Sequence, residues 1–318
     1  MESSAKEKLY AFEPRHSFFV GIDSDGSVFD TMEIKQKECF IPNIIKYWKL
    51  QAISKYACAA AEFVNLYSKW RGINRFPALT KTIELLRDWP EAIWSGAAIP
   101  DLTSLQTWID SGAALGNPAL EAEVSKTGDP VLKQALEWSK AVNRSIADRV
   151  KGVPPFPWFR ACAERLAPRA DIICVSVASG EALEREWREH DIAKYAAVLA
   201  GQEMGCKKDH LRIAAGSKYA KDCVLMIGDA PGDLAAARAS GALFFPINPG
   251  CEEQSWERFY REGLERFVSK TYAVGYEAAL VKEFEKLLPE TPPWKRAVGR
   301  SADGQVGSWR RKPVSSKH

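Results

Sequence analysis

The chain has 318 residues, 46% of them hydrophobic and 27% charged, with a formal net charge of +3. That is enough for one large or two ordinary globular domains with a substantial core, and it excludes an intrinsically disordered chain. No apolar run approaches the roughly 20 residues a bilayer-spanning helix needs, so a membrane protein is not expected. The charge is unevenly spread: seven Lys or Arg and one acid, Asp303, fall between Trp294 and His318, which leaves the body slightly acidic. With no basic footprint on the body, nucleic acid is not an expected partner.

The start, Met1-Glu2-Ser3-Ser4-Ala5-Lys6-Glu7-Lys8, is polar and mixed in charge, unlike a secretory leader. The seven cysteines (39, 58, 162, 174, 206, 223, 251) form no Cys-x-x-Cys pair, and several sit in apolar contexts, as reduced core cysteines do. A cytoplasmic, disulfide-free protein is the expectation. Residues 17–23 read as a buried strand running into Gly21-Ile22-Asp23-Ser24-Asp25-Gly26-Ser27-Val28-Phe29-Asp30. From about 33 the pattern turns helical and stays so to about 166, punctuated by Gly and Pro, with Asp101 and Asn117 as expected N-caps. The seven tryptophans of this stretch (48, 70, 89, 94, 108, 138, 158) read as mostly core packing.

After Val153-Pro154-Pro155-Phe156-Pro157, which reads as a stiff linker, strands and helices alternate. Strands are expected at Asp171–Ser176, Ala197–Leu199, Cys223–Ile227 and Leu243–Ile247, with helices at Gly180–His190, Lys208–Ala215 and Gly232–Ala239. Two amphipathic helices should fill 251–288. Such alternation predicts an α/β fold, a parallel sheet with helices on both faces. The first strand belongs to this sheet, so the helical stretch is an all-helical insertion. The expected organisation is a discontinuous core of 1–32 and 165–290, a helical domain over 33–164, and a basic, disordered tail over 291–318.

Polar residues cluster where these strands end: Asp23 and Asp25; Ser176; Lys207-Lys208 at a helix start; and Asp229 and Asp233 in Gly228-Asp229-Ala230-Pro231-Gly232-Asp233. In a parallel sheet they converge on one edge. Carboxylates suit a hard divalent cation, while a lysine, a hydroxyl and backbone N–H groups suit a phosphate. That combination describes metal-dependent phosphoryl transfer. A calcium loop opening at Asp23 fails, because its sixth and twelfth positions hold Val28 and Ile34. Ser179 reads as a helix cap, and His16, His190 and His210 form no metal-spaced set.

Asp-x-Asp-Gly-Ser after an apolar strand, a later strand ending in Ser, a helix-opening Lys, and Gly-Asp-x-x-x-Asp after another strand resemble, in order, the four motifs of the haloacid dehalogenase superfamily. The likeness spans about 17–30 and 165–250 and is nearest to the phosphoglycolate phosphatase type. It implies a Rossmann-like core with an inserted helical cap, Mg²⁺ as cofactor, and a small phosphorylated metabolite as substrate. By that resemblance Asp23 is the nucleophile that becomes an aspartyl-phosphate, and Asp25 is the acid and base, its pKa raised by neighbouring carboxylates. Ser176 would bind the phosphoryl group and Lys208 would neutralise it, with Lys207 as substitute because Asp209 follows Lys208 where Pro is common. Metal ligands would be Asp23, the backbone carbonyl of Asp25, Asp229 and Asp233. The second acid argues for phosphoester chemistry over dehalogenation. A phosphomutase, or a non-catalytic protein that binds a phosphorylated ligand, are the alternatives; the sequence carries no signal for oligomeric state.

Overall fold

The structure is a computed structural model and describes residues 2–273 and 275–297. Five strands form one sheet: β1 Phe18–Ile22, β2 Ala170–Val175, β3 Val198–Ala200, β4 Val224–Gly228 and β5 Leu243–Pro246. All pairs are parallel and the order is β3-β2-β1-β4-β5, with β1 in the centre. Ile22 stands beside both Cys174 and Ile227, so β1, β2 and β4 end at nearly the same level. The chain reverses direction across the sheet at β1, which makes the crevice beyond its carboxyl end the expected ligand position.

The side-chain period of two explains why these strands are apolar throughout. Val20, Ile22, Ile172, Cys174, Leu225 and Ile227 point to one layer, where they meet Phe159, Leu183, Trp187, Trp256 and Phe259. Phe19, Ile173, Val175, Val224, Met226 and Phe244 point to the other, against Leu211, Ala237, Val281 and Phe284. The chain therefore forms the expected α/β sandwich, with helices covering both faces.

Between β1 and β2 the described residues contain no strand. The helices Ser54–Leu66, Arg75–Arg87, Thr103–Asp110, Asn117–Thr127 and Pro130–Arg149 enclose a separate core with Trp138, Phe76, Leu79, Val64 and Leu105 at its centre. Neither expected N-cap sits at the cap position: Leu102 caps the helix Thr103–Asp110, with Asp101 one residue earlier accepting from the Thr103 N–H, and Asn117 is the first helical residue of its helix. Its side chain instead accepts from the buried Ser139 hydroxyl. Most of the tryptophans are core residues, but Trp94 is 78% exposed and Trp158 is 37% exposed.

Three sequence expectations change in detail. The Pro-rich 153–157 segment is docked: Phe156 N–H donates to Val28 O, and Pro155 bridges Phe29. The first flanking helix, Glu252–Val268 in extent, carries a π-helical turn at Phe259–Gly263 before the second, Tyr276–Leu287. The stretch expected to be a disordered tail begins ordered: Pro293–Ala297 is a short helix, and Trp294 stacks on Trp89 at 4.0 Å between ring centroids. Burial of that indole outweighs the polar composition that follows it; residues 298–318 of the expected tail lie outside the described residues. No helix among the described residues is long and apolar enough to cross a membrane.

One buried group sets an acid limit on stability. His210, fully buried in the helix Lys207–Ala214, has its pKa lowered to about 4, chiefly by burial. The unfolded chain, with an ordinary His pKa near 6.5, takes the proton first, so folding is penalised as pH falls from about 6.5 towards 4. The penalty should reach about 2 kcal/mol at pH 5 and vanish above neutrality. Urea unfolding of His210→Leu and wild type at pH 7.5 and 5 measures it: the difference between the two proteins should shift by that amount in favour of the variant.

Candidate active site

Asp23 follows β1, and its backbone N–H donates to Ile227 O of β4 at 2.9 Å, which extends the sheet by one residue. Beyond it the chain turns sharply: the amides of Ser27, Val28 and Phe29 all point at Ser24 O. Gly26 sits at φ +80°, and a Cβ there would overlap the Asp229 carboxylate and lie 2.8 Å from an Arg71 Nη. Only glycine fits a turn that combines a left-handed backbone with so close an approach. The turn aims Ser27 at Asp229, to which its hydroxyl donates at 2.8 Å.

Asp229 follows β4, and Asp233 lies in the first turn of the helix Pro231–Ser240, where it accepts from the Ala230 N–H at 3.0 Å. Asp23, Asp229 and Asp233 are all buried, with one oxygen of each within 4.8 Å of the others. Lys207 is the first residue of the helix Lys207–Ala214, and its Nζ lies 2.9 Å from Asp23 and 2.7 Å from Asp233. The helix fixes which of the two adjacent lysines does this. Successive residues are turned by about 100°, so one faces the sheet while the next faces away. Lys208 is exposed and makes no such contact, so of the two adjacent lysines it is Lys207, not the expected Lys208, that the fold brings to the acids.

The electrostatics follow from burial. Burial raises the Asp23 pKa well above the carboxylate range; Lys207 opposes this, and Asp233 and Asp229 add to it. Asp233 is raised in the same way, by burial first. Lys207 moves up because Asp23 and Asp233 outweigh the burial that would lower it. Three clustered carboxylates thus stand against two cations, Lys207 and Arg71. A site of hard oxygen donors with negative charge in excess fits a small divalent cation.

Asp25 departs from the expectation. Its side chain is absent from the acid cluster; it lies against Lys35, whose Nζ is 2.6 and 2.7 Å from its two oxygens, and accepts from the Thr31 hydroxyl. Burial alone would raise its pKa, but Lys35 and the hydrogen bonds from Lys35 and Thr31 outweigh it and hold the group below its ordinary value. The raised pKa expected for Asp25 is therefore corrected: a cation, not a carboxylate, is its nearest charged neighbour. Glu186, buried on the helix Gly180–Glu189, also feels Lys35, and burial raises its pKa. Replacing Lys35 by Met leaves Asp25 without a cation and should cost about 2 kcal/mol at neutral pH. Because Asp25 is depressed in the fold, that loss should fade as pH drops through its titration below about 4, which denaturation at pH 7 and 3.5 reads.

Ser176 is the first residue past β2, buried, with its N–H bonded to Ala200 O and its hydroxyl accepting from the Ala178 N–H. The strand register sets it level with Ser24, at the rim of the same crevice. Ser179 caps the next helix as expected. The helical module also reaches in. Arg71 pairs with Asp229 through Nη2 at 2.5 Å and Nε at 2.7 Å, and Nη1 donates to Leu66 O at 2.9 Å. Lys35 and Arg71 carry no motif; the sequence signal for them is only that each is a lysine or arginine in the insertion.

No protein-family profile matches the chain, and no curated protein matches it. Among solved structures it is similar to a protein provisionally assigned as a phosphoglycolate phosphatase from Lactobacillus delbrueckii subsp. bulgaricus. Identity is 14% and TM-score 0.46, over 80% of this chain and 98% of that one. It is also similar to a haloacid dehalogenase-like family hydrolase from Streptococcus pneumoniae, at 14% identity and TM-score 0.42, over 76% and 90% of the two chains. A HAD-superfamily hydrolase of subfamily IA from Geobacter sulfurreducens follows at 12% identity and TM-score 0.35, over 74% and 90%.

Proposed function

We propose that this chain is a divalent-metal-dependent phosphatase of the haloacid dehalogenase superfamily, acting on a small phosphorylated metabolite with Mg²⁺ as cofactor. The observation that carries the reading is the convergence of Asp23, Asp229, Asp233 and Lys207 beyond the carboxyl ends of β1 and β4. Ser176 stands at the end of β2. The motif order that resembles the superfamily supplies the roles.

In this reading an Asp23 oxygen attacks phosphorus, the P–O bond to the leaving group breaks, and the departing oxygen takes a proton from Asp25. A water then attacks the aspartyl-phosphate, giving its proton back to Asp25 and releasing phosphate and free Asp23. Lys207 restrains Asp23 and balances its charge, and Ser176 hydrogen-bonds the phosphoryl group. Asp23, Asp229 and Asp233, with the Asp25 carbonyl, would hold the metal, which supplies positive charge against the phosphoryl oxygens. The helical module would act as a cap that keeps bulk water from the intermediate.

The ion pair with Lys35 favours the carboxylate form of Asp25, so as the pair stands Asp25 does not hold the proton that the first half-reaction calls for. The same pair, together with Arg71 on Asp229, is what favours the second reading, a protein that binds a phosphorylated ligand without turning it over. Incubating the chain with a panel of phosphate monoesters and magnesium, and assaying released phosphate, separates them. Release from at least one ester supports the phosphatase; binding of a metabolite without release from any member supports the alternative.

A further inference from the structure

We propose that Arg71 is the chain's own occupant of the cation position at Asp229, so that metal loading and retraction of the 66–75 segment are one coupled exchange. The inference rests on the reading of Asp23, Asp229 and Asp233 as cation ligands, and deepens it.

Every oxygen of Asp229 is already engaged. One accepts from the Ser27 hydroxyl at 2.8 Å, and the other accepts from both Nε and Nη2 of Arg71. Both partners are removed from water: the Arg71 side chain is 3% exposed and that of Asp229 is not exposed at all. Lys207 takes an oxygen of Asp23 and one of Asp233. Mg²⁺ demands near-ideal octahedral oxygen ligation and keeps several waters. A guanidinium seated 2.5 to 2.7 Å from one Asp229 oxygen takes the donor that an ion there would need, so the two cations would compete for it. A buried pair of this kind is also costly to break by half, which makes a direct exchange of one cation for the other the favoured route.

The segment that carries Arg71 is docked, not loosely draped. Gly72 lies at φ +78°, and a Cβ on it would stand 2.9 Å from Cβ of Ala230, the neighbour of Asp229. Arg71 N–H donates to Ser68 O, and Ser68 in turn donates its hydroxyl to Val64 O in the helix below. A second acceptor stands near the displaced guanidinium: the half-buried Glu252, whose carboxyl burial raises while backbone hydrogen bonds and then Arg71 oppose it. The arginine thus has a place to go when a divalent ion takes Asp229.

Competition of this form lowers apparent metal affinity by the fraction of molecules in which Arg71 has left its seat. Two variants relieve it by different routes. Arg71→Met removes the guanidinium. Gly72→Ala keeps the charge but obstructs the seat, which separates exclusion from mere loss of a nearby positive charge. Calorimetric titration of the full chain with MgCl₂ should show Arg71→Met binding at least ten-fold tighter than wild type, with Gly72→Ala shifted the same way. Adding MgCl₂ to wild type should speed amide hydrogen exchange across 66–75. Equal affinity in wild type and Arg71→Met, a Gly72→Ala variant no tighter than wild type, or exchange across 66–75 that slows or stays fixed on metal binding would overturn the proposal. If neither wild type nor Arg71→Met binds the ion, and Asp229→Asn behaves alike, the cation-ligand reading itself is what fails.

Discussion

Asp23→Asn should abolish release of phosphate from every ester the wild-type chain hydrolyses, by a factor on the order of 10⁴ or more. The amide cannot attack phosphorus or form an acyl phosphate. The substitution is nearly isosteric, and it removes a carboxyl that burial, Asp233 and Asp229 already push towards its neutral form. Folding should therefore survive, and thermal unfolding of the variant should be as cooperative as that of wild type. The loss can then be assigned to chemistry. Magnesium-dependent turnover persisting in this variant would remove Asp23 from the nucleophile's role.

Lys207→Met should be among the most destabilising single substitutions in the chain. The ammonium is the cation between Asp23 and Asp233, and removing one partner from a buried ionic cluster typically costs about 3–5 kcal/mol. The sign with pH is fixed by the direction of the shifts. Asp23 and Asp233 are already raised in the fold, and without Lys207 they rise further. A raised carboxyl favours the folded state at low pH and disfavours it as pH climbs through the folded-state titration. The deficit of Lys207→Met in urea unfolding should accordingly be largest above neutrality and shrink towards pH 4. Lys208→Met, one residue on and exposed, should stay within about 0.5 kcal/mol of wild type at both ends.

This contrast also marks where sequence reasoning stops. The five strands were legible because each is apolar on both faces, which two covering layers of helix require. Asp23, Asp229 and Ser176 were legible because acids or hydroxyls directly after such runs must emerge at the sheet's edge. Choosing between Lys207 and Lys208 needed the helix's starting residue, and one residue of phase on a helix turns a side chain from the site to solvent. Lys35 and Arg71 belong to a different class. They come from the insertion, and only the packing of that module against the core brings them to Asp25 and Asp229. The pKa of Asp25 was misjudged for the same reason: nothing local to Asp23-Ser24-Asp25 announces a lysine ten residues away.

The Trp294–Trp89 stack has a mechanical consequence. An inserted module joined to its core by two chain crossings can swing like a door on its hinges. Here the polypeptide returns after the sheet is complete and fastens the module at a third place. Trp294 lies against Trp89 and Phe63, Lys295 pairs with Asp88, and the Lys69 N–H donates to Pro289 O. A third attachment restricts the swing that two chain crossings alone would leave. Wide clamshell opening would require unstacking an indole pair. The stack of Trp294 on Trp89 thereby limits how far the module can travel relative to the sheet.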